Sequence, residues 1–360
     1  MNYMNPLSAY GWTKELDDLL ARHTILGTQP ARVVADFGTS LKVALPKIVT
    51  AELSGALAHH THREQVPKVG DWVLVRLTDN SPPVIEALLP RQSEIARKVA
   101  GSKTLKQVIA ANVDVAFVLL ALDNDFSIDR LRRFLYQLSI NAIKPVIVLN
   151  KADKVENAEE YISQLSSLEL PVIAMVATKG TGMAELLNFI APGKTAVLLG
   201  SSGVGKSTLT NRLLERDVQK THAVRQSDDT GMHTTVHREL FMLPGGGLLI
   251  DMPGIRELQL WGTEEALDEN FDDIAALFRQ CKYASCQHKD DDGCAVQRAL
   301  KDGTLDPLHY AAYQKMKNEL STLKQRSSSK LKRDNERSKR TVKKQNRDLL
   351  KDFRNEASSQ

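Results

Sequence analysis

The pattern of hydrophobic and polar positions divides the chain into two parts. Between residues 31 and 90, short alternating or β-branched runs are separated by turn residues: ARVVADF, LKVALP, VGDWVLVRL and PPVIEALLP. This pattern predicts a small all-β unit of about sixty residues, a length that fits a barrel of the OB type. Because few aromatic residues suited to base stacking are present, a barrel that binds nucleic acid and a purely structural barrel both stay open.

From about residue 108 onward, apolar runs alternate with segments of helical periodicity. The apolar runs are DVAFVLLAL, KPVIVLN, PVIAMV and TAVLLG, and the helical segments are SIDRLRRFLYQLSI, AEEYISQLSSL and MAELLNFI. Strands that alternate with helices predict a parallel sheet covered by helices. The second part of the chain is therefore expected to be an α/β domain.

Length and composition favour two or three domains. With 360 residues, of which 42% are hydrophobic, the chain can bury more than one core. The longest apolar run, VAFVLLAL at 115–122, is far shorter than the ~20 residues that span a bilayer. The first residues, MNYMNPLSAYGWTKELDD, lack the basic and then apolar pattern of a signal peptide. These features predict a cytoplasmic protein with no membrane partner.

The positive charge is concentrated at the carboxyl end. The net charge is +4, yet residues 324–360 contain 13 Lys and Arg against 5 Asp and Glu, so the remaining residues carry a net charge of −4. This basic segment has few apolar residues and no aromatic residue until Phe353, so it cannot bury enough surface to fold by itself. We interpret it as an arm that binds nucleic-acid phosphates; a solubilising tail is the alternative.

A cluster of possible metal ligands precedes this tail. All three cysteines lie in CKYASCQHKDDDGC, with the spacing C-x4-C-x-H-x5-C at Cys281, Cys286, His288 and Cys294. A Cys3His set closes a tetrahedral structural zinc site and leaves no open position for catalysis. A disulfide is disfavoured in a reducing cytoplasm, and three buried thiols beside a histidine are the alternative.

The stretch GSSGVGKS at 200–207 matches the phosphate-binding pattern G-x-x-x-x-G-K-[ST]. The run TAVLL precedes it and the helical segment STLTNRLLE follows, which is the context that this loop requires. Lys206 is expected to reach the β- and γ-phosphate oxygens, and Ser207 to ligate Mg²⁺. The predicted phosphate-binding residues are Gly200, Ser201, Ser202, Gly203, Val204, Gly205, Lys206, Ser207 and Thr208.

The motif NKAD at 150–153 comes about fifty residues before that loop and directly after KPVIVL. Asp153 can accept hydrogen bonds from N1 and N2 of guanine, which adenine does not offer, so the motif predicts GTP rather than ATP. Asn150 is expected to brace the loop and the stem of Lys151 to cover the base. An ordinary polar loop between a strand and a helix is the alternative reading.

The stretch DMPG at 251–254 follows the apolar run GLLI. Asp251 is expected to hold Mg²⁺ through water, and the Gly254 N–H to face the γ-phosphate. The motif order is thus base, phosphate, then switches, whereas an ordinary GTPase has the base motif last. The sequence therefore predicts a circularly permuted GTPase fold, which is possible because the ends of a domain lie close together in space.

The segment TGMHTTVHREL at 230–240 lies between the phosphate loop and DMPG. Thr234 and Thr235 in this segment are predicted to sense the γ-phosphate as a switch. Mg²⁺ bound with GTP is the expected cofactor, and Ser207, Thr235 and Asp251 are its expected protein ligands.

This set of motifs resembles the RsgA (YjeQ) family of circularly permuted GTPases, over nearly the whole chain. We divide the chain accordingly into an N-terminal extension (1–30), an OB-like barrel (31–95), a permuted GTPase domain (104–270), a zinc-binding region (271–323) and a basic tail (324–360). The resemblance implies hydrolysis of GTP to GDP, stimulated by the small ribosomal subunit. It also implies that the barrel, zinc region and tail contact ribosomal RNA and protein. We expect a monomer.

Three positions depart from the pattern of that family. Val176 stands where such enzymes usually have a serine, so a bracing hydroxyl is lost, while Ala177 keeps the N–H that is expected to contact guanine O6. Met232 replaces the more frequent arginine of the switch. Gly203 occupies the place of an asparagine found in potassium-activated GTPases, so no potassium requirement is predicted.

The residue that positions the attacking water is not the usual glutamine, because Ile255 follows DMPG. The family resemblance points to His233, with His237 as second choice and a histidine that only stabilises the switch or contacts RNA as the alternative. Lys206 and the Gly254 amide are expected to neutralise charge on the γ-phosphate. Intrinsic hydrolysis should be slow, and a nucleotide-gated rRNA-binding protein with negligible turnover is the rival function.

Overall fold

The computed structural model describes residues 6–38, 40–58, 65–79, 81–98, 106–123, 126–215, 238–252, 262–289 and 291–325. Two compact units divide the chain: Met1–Arg97 with Lys106–Gln259, and Lys98–Leu105 with Leu260–Gln360. Among the helices in the described ranges, none is long and apolar enough to cross a membrane.

Five strands close into a barrel in the first unit. They are β1 (Thr28–Asp36), β2 (Leu41–Ala44), β3 (Ile48–Leu53), β4 (Trp72–Arg76) and β5 (Val84–Leu88), with the short helix α2 (Gly55–Ala58) after β3. Their order is β1-β2-β3-β5-β4, and pairing of β1 with β4 closes the barrel. β3 runs parallel to β5, and the other neighbours are antiparallel. Val33, Val43 and Ile85 are fully buried in its core.

The residues before the barrel pack onto it. Helix α1 (Lys14–His23) places Leu16 in a buried cluster with Trp12 and Trp72, whose rings meet edge to face with centroids 4.9 Å apart. An aromatic pair in this geometry contributes about 1 kcal/mol beyond its buried area. Because these large rings are buried together, part of the predicted N-terminal extension packs on the barrel rather than standing apart from it.

A two-stranded sheet and then a six-stranded one follow the barrel. The two-stranded sheet pairs β6 (Glu94–Lys98) with β7 (Lys106–Ala111). The larger sheet contains β8 (Val115–Ala121), β9 (Lys144–Asn150), β10 (Val172–Ala174), β11 (Thr195–Leu199), β12 (Arg238–Met242) and β13 (Leu248–Asp251). Its order is β10-β9-β8-β11-β13-β12.

Five of these six strands run parallel, which confirms the predicted parallel sheet. β12 is the exception and pairs antiparallel with β13. Only residues 243–247 connect these two strands, and a connection of this length makes a hairpin, whereas parallel neighbours need a long crossover.

Helices cover both faces of the sheet, as the alternating pattern predicts. They are α3 (Ile128–Ser139), α4 (Ala158–Gln164), α5 (Met183–Leu187) and α6 (Lys206–Leu213). All seven residues of β8 are buried, and they alternate between two apolar clusters. Val118 packs in the cluster that contains Phe134 of α3, whereas Phe117 packs with Leu209 of α6. A strand buried on both faces explains why DVAFVLLAL shows no polar alternation.

One barrel strand continues the larger sheet. β1 pairs with β12 at Ala35↔Glu239 and Asp36↔Arg238, so the barrel and the α/β sheet form one hydrogen-bonded array of eleven strands.

The side chain of Arg32, on β1, is buried where the barrel meets the α/β part. Its guanidinium donates hydrogen bonds to the carbonyls of Tyr10, Gly70 and Asn112, and to Thr195 Oγ1 at 2.9 Å. Burial lowers the pKa of Arg32 to about 10, and nearby carboxylates oppose this shift, so the side chain stays charged at neutral pH. A single cation therefore donates to acceptors from four separate segments, three of them buried.

The second unit is helical. Its described helices are α7 (Glu264–Asn270), α8 (Asp272–Phe278), α9 (Ala295–Lys301) and α10 (residues 307–325). Tyr313 of α10 packs edge to face against Phe271 and donates a hydrogen bond to Asp268 Oδ1 at 2.7 Å. Burial, and then the Asp268 carboxylate, raise the pKa of Tyr313, so its hydroxyl remains a donor.

Methionine has a long, unbranched side chain but no hydrogen-bond donors. Replacing Arg32 by methionine is therefore expected to lower the free energy of unfolding by about 3 kcal/mol. The physical reason is that four acceptors, three of them buried, each lose the hydrogen bond from the guanidinium. Urea unfolding followed by tryptophan fluorescence measures the change. Arg22→Met is the matched control, since Arg22 is exposed on α1. Equal stability of the two variants would contradict the role of Arg32.

Candidate functional site

Three loops that carry sequence motifs lie at one edge of the larger sheet, together with Asp251 at the end of β13. The loops follow the carboxyl ends of β9, β10 and β11, which run parallel to one another and to β13. Neighbouring parallel strands end at the same edge, where α/β sheets bind their ligands. Motifs that are far apart in the chain are thereby brought together.

The phosphate-binding loop connects β11 to α6, which begins at Lys206. Gly205 has a positive φ of 105°, and a side chain there would clash with Asn150 Nδ2. A Cβ on Gly203 would instead meet nothing within 4 Å, so there is open space beside this exposed residue. A loop of this shape at a helix N-terminus suits an anion such as phosphate.

The ammonium of Lys206 lies over this loop. Its Nζ donates to the carbonyl oxygens of Gly200 at 2.7 Å and Ser201 at 2.5 Å. These carbonyl oxygens hold the Lys206 ammonium at the phosphate loop. Lys206 is thus within reach of a phosphate that enters there, since its flexible stem can exchange one oxygen acceptor for another.

Asn150 joins the three loops. Its Nδ2 donates to the carbonyl of Val204 in the phosphate loop at 2.7 Å. Its Oδ1 accepts the backbone N–H of Ala177, in the loop after β10, at 3.0 Å. The side chain is buried, with 3% of the residue exposed, so both hydrogen bonds form away from water.

The N–H of Ala177 has a partner that the sequence did not indicate. It was expected to contact guanine O6, and in this structure it donates to Asn150. A guanine base would have to share this donor with Asn150 or take it over. The link to Asn150 shows how the loop keeps its place although Val176 has no hydroxyl.

Two ion pairs flank the loop NKAD, and neither was predicted. Lys151 has a positive φ of 62°, and its Nζ lies 2.7 Å from Asp123 Oδ2. Lys179 Nζ lies 3.2 Å from Asp153 Oδ2. Each pair joins residues 26 or more positions apart in the chain, so the sequence carries no periodic signal for them.

Several predicted residues lie outside the described ranges. They are Met232, His233, Thr234, Thr235, His237, Gly254 and Ile255. The last three residues of the predicted switch segment, 238–240, form the start of β12. Asp251 is the last residue of β13, at the same sheet edge as the phosphate loop, whose Ser207 is in the first turn of α6.

In the second unit, the Cys3His residues of the sequence motif come together. The possible ligand atoms of Cys281, Cys286, His288 and Cys294 all lie within 4.8 Å of one another. His288 Nδ1 is 3.5 Å from Cys281 Sγ and 3.8 Å from Cys294 Sγ. A tetrahedral zinc site with ordinary bond lengths separates sulfur and nitrogen by about 3.6 Å. The donor set and its spacing therefore fit one zinc ion.

Neighbouring residues hold His288 in place. Phe278 stacks on the imidazole with centroids 4.2 Å apart, and Gln297 Nε2 donates to the His288 carbonyl at 2.8 Å. Burial and the Lys317 ammonium lower the pKa of His288, against a smaller opposite effect of Asp291. The imidazole is thus neutral at pH 7, the form that binds metal ions.

Comparisons with known proteins agree with this arrangement. A family model described as RsgA GTPase matches residues 88–261. A protein of Opitutus terrae named small ribosomal subunit biogenesis GTPase RsgA is 40% identical over 328 residues, which cover 87% of this chain and 89% of that protein.

Two solved structures have the same fold. The crystal structure of YjeQ from Thermotoga maritima matches with a TM-score of 0.58 at 25% identity, covering 81% of this chain and 98% of that one. The structure of YloQ, described as a circularly permuted GTPase, matches with a TM-score of 0.57 at 23% identity, covering 84% and 98%.

The fold and the order of its loops define a circularly permuted GTPase. Within this class, the chain belongs to the RsgA GTPase family, as its sequence motifs had indicated. It is therefore a GTP hydrolase that binds GTP and GDP, and in such enzymes Mg²⁺ binds with the nucleotide.

Asn150→Ala is expected to weaken GDP binding about tenfold or more, because the base and phosphate loops lose the side chain that joins them. Isothermal titration calorimetry with Mg²⁺ present measures the affinity. Asn141→Ala is the control, since Asn141 bonds only within its own helix end, to the Gln137 carbonyl. The role of Asn150 is refuted if both variants bind GDP as the parent protein does.

Proposed function

We propose that this GTPase binds the small ribosomal subunit late in its maturation and that the subunit stimulates hydrolysis of GTP to GDP and phosphate. The observation that carries the proposal is the 40% identity, over most of the chain, to a protein named for small ribosomal subunit biogenesis. GTP would favour the bound state and hydrolysis would release the protein. In this proposal the protein works in the cytoplasm as a monomer.

The guanine base is proposed to lie between the loops after β9 and β10. Asp153 would accept N–H groups from N1 and N2, and the stem of Lys151 would cover the base. The Ala177 N–H would reach O6 by sharing its bond with Asn150. The two Asn150 hydrogen bonds support this assignment, because they hold the base loops at a fixed place relative to the phosphate loop.

The phosphates are proposed to lie in the loop at 200–208. Backbone N–H groups would face the β-phosphate, and Lys206 would move from the loop carbonyls to the β- and γ-oxygens. Ser207, Thr235 and Asp251 would hold Mg²⁺, which supplies neutralisation of phosphate charge. The open space beside Gly203 supports this placement. Since Gly203 brings no amide side chain, turnover should not require potassium.

Hydrolysis is proposed to proceed by in-line attack of water on the γ-phosphate. Ile255 cannot hydrogen-bond to that water, so His233 is proposed to position it, with His237 as second choice. Lys206 and the Gly254 N–H would neutralise charge that develops on the phosphate oxygens. Docking on the subunit would order the switch around His233, and Thr234 and Thr235 would sense the γ-phosphate. Intrinsic turnover would then be slow and stimulated turnover fast.

Three parts of the chain are proposed to contact ribosomal RNA and protein. The first is the closed five-stranded barrel, which we propose is of the OB type; its parallel β3–β5 pair supports this assignment. The second is the region 271–323, in which Cys281, Cys286, His288 and Cys294 would bind one structural zinc ion. The third is the basic tail 324–360, whose charge balance of +8 suits phosphates. With the permuted domain at 104–270 and the extension at 1–30, these parts make up the proposed domain division.

The proposal is tested by GTP turnover, measured with the protein alone and with small subunits, large subunits or naked RNA, at two salt concentrations. Small subunits are expected to raise turnover at least about a hundredfold, since assembly of a switch by a partner is worth factors of this size or more. His233→Ala should lose most of the stimulation and leave GTP affinity unchanged.

ATP in place of GTP serves as the control for base specificity. Ile255 is not substituted in any protein used for this test. If GTP binds but no partner stimulates its hydrolysis, the chain is a nucleotide-gated rRNA-binding protein rather than a subunit-stimulated enzyme. If His233→Ala is stimulated as strongly as the parent, another group positions the water.

The purified protein is expected to contain one zinc ion per chain by elemental analysis, because a folded Cys3His set retains the metal. Removing it with a chelator, or by His288→Ala, should lower the melting temperature of the second unit. His23→Ala is the control variant, since His23 is exposed on α1. Metal-free protein that melts at the same temperature as the zinc form would rule out a structural zinc site.

A further inference from the structure

The loop after β10 contains a cation, Lys179, that has no role in the guanine-binding scheme proposed above. Lys179 Nζ lies 3.2 Å from Asp153 Oδ2, across two loops that follow different strands. The Lys179 side chain is 65% exposed and that of Asp153 33% exposed. The carboxylate assigned to guanine is therefore in contact with a neighbouring positive charge.

A tight turn aims Lys179 at this carboxylate. The carbonyl of Val176 accepts the N–H groups of both Lys179 and Gly180 at 2.9 Å, and the Val176 N–H donates to the Thr181 carbonyl at 3.2 Å. These three bonds fold the loop back toward the strand that it left. The backbone of Lys179 is thereby held within this turn.

The loop is also fastened from its other side. Arg212, on α6, donates to the carbonyl of Thr178, and the Ala177 N–H is bonded to Asn150. Within the turn, Thr178 is thus bonded to helix α6, and Ala177 is bonded to the motif NKAD. Because the backbone is held at these points, only the side-chain torsions of Lys179 and Asp153 have to be ordered for the ion pair to form.

The chemistry allows Lys179 and guanine to use Asp153 together. A carboxylate has about four acceptor positions on its two oxygens, so it can accept two N–H groups of guanine and one from an ammonium. Without a second contact, the carboxylate rotates about its own torsion and must be ordered when the base binds. Val176 supplies no hydroxyl for this purpose.

We propose that Lys179 is a positioning residue for guanine recognition, whose ammonium holds the Asp153 carboxylate in the orientation that receives both N1 and N2 of the base. The inference rests on the proposed role of Asp153 in binding guanine. In this proposal the ion pair provides the brace that is lost because Val176 has no hydroxyl.

The test compares affinities for GDP, inosine diphosphate and ADP by calorimetry, with Mg²⁺ present. Inosine lacks the 2-amino group and offers Asp153 one donor instead of two, so it depends less on the orientation of the carboxylate. Lys179→Met is expected to weaken GDP binding about fivefold and inosine diphosphate binding less, which lowers the ratio of the two affinities. Lys179→Arg should restore most of this ratio.

Lys154→Met is the matched control. Lys154 is an exposed lysine next to Asp153 in sequence, and the described structure records no ion pair for it. Both substitutions remove one positive charge beside the site. A change that merely weakens attraction for a negative nucleotide would therefore lower GDP and inosine diphosphate binding equally in both variants.

Three outcomes overturn the proposal. Lys179→Met behaving like Lys154→Met would make the ion pair a solvated surface contact. If Lys179→Met weakened the binding of GDP and inosine diphosphate equally, Lys179 would act only by attracting the negative nucleotide. If Lys179→Met bound GDP more tightly than the parent, Lys179 would compete with the base for Asp153. Failure of the proposed function looks different, because the parent protein itself would then not prefer GDP over ADP and inosine diphosphate.

Discussion

The proposed nucleotide site depends on the buried side chain of Asn150, which bonds the 200–208 loop through the Val204 carbonyl and the loop after β10 through the Ala177 N–H. These loops follow β9, β10 and β11, whose parallel register places their carboxyl ends at one edge of the sheet. Chain order does not matter for this geometry, since only the spatial order of strands decides which loops meet. A permuted sequence can therefore build the site of an ordinary GTPase.

A second constraint ties the barrel to this site. β1 pairs with β12 in one continuous array, and Arg32 extends from β1 to Thr195, the first residue of the strand that leads into the phosphate loop. Burying a guanidinium is costly unless its donors are satisfied, and here acceptors from four segments satisfy them. The barrel and the sheet are thus parts of one unit, so a partner bound to the barrel would be mechanically connected to the phosphate loop through β1.

Local sequence patterns predicted the elements and motif loops because these depend on neighbours in the chain. The alternation of ARVVADF, the apolar run of β8 and the GSSGVGKS loop all carry such signals. Other contacts depend on residues that only the fold brings together. They include the pairing of Lys179 with Asp153 and the hydrogen bond from Arg32 to Thr195, which are 163 positions apart in the chain. β12 and its antiparallel pairing with β13 were not predicted, because residues 238–240 were assigned to the switch segment.

Hydrogen–deuterium exchange with and without GDP and Mg²⁺ tests the central claim, that three separate loops form one guanine-nucleotide site. The account predicts that GDP slows amide exchange together in residues 150–154, 176–180 and 200–208, and that ADP at the same concentration does not. Slowed exchange confined to 200–208, or an equal response to ADP, would contradict it, because the loops after β9 and β10 would then bind no base.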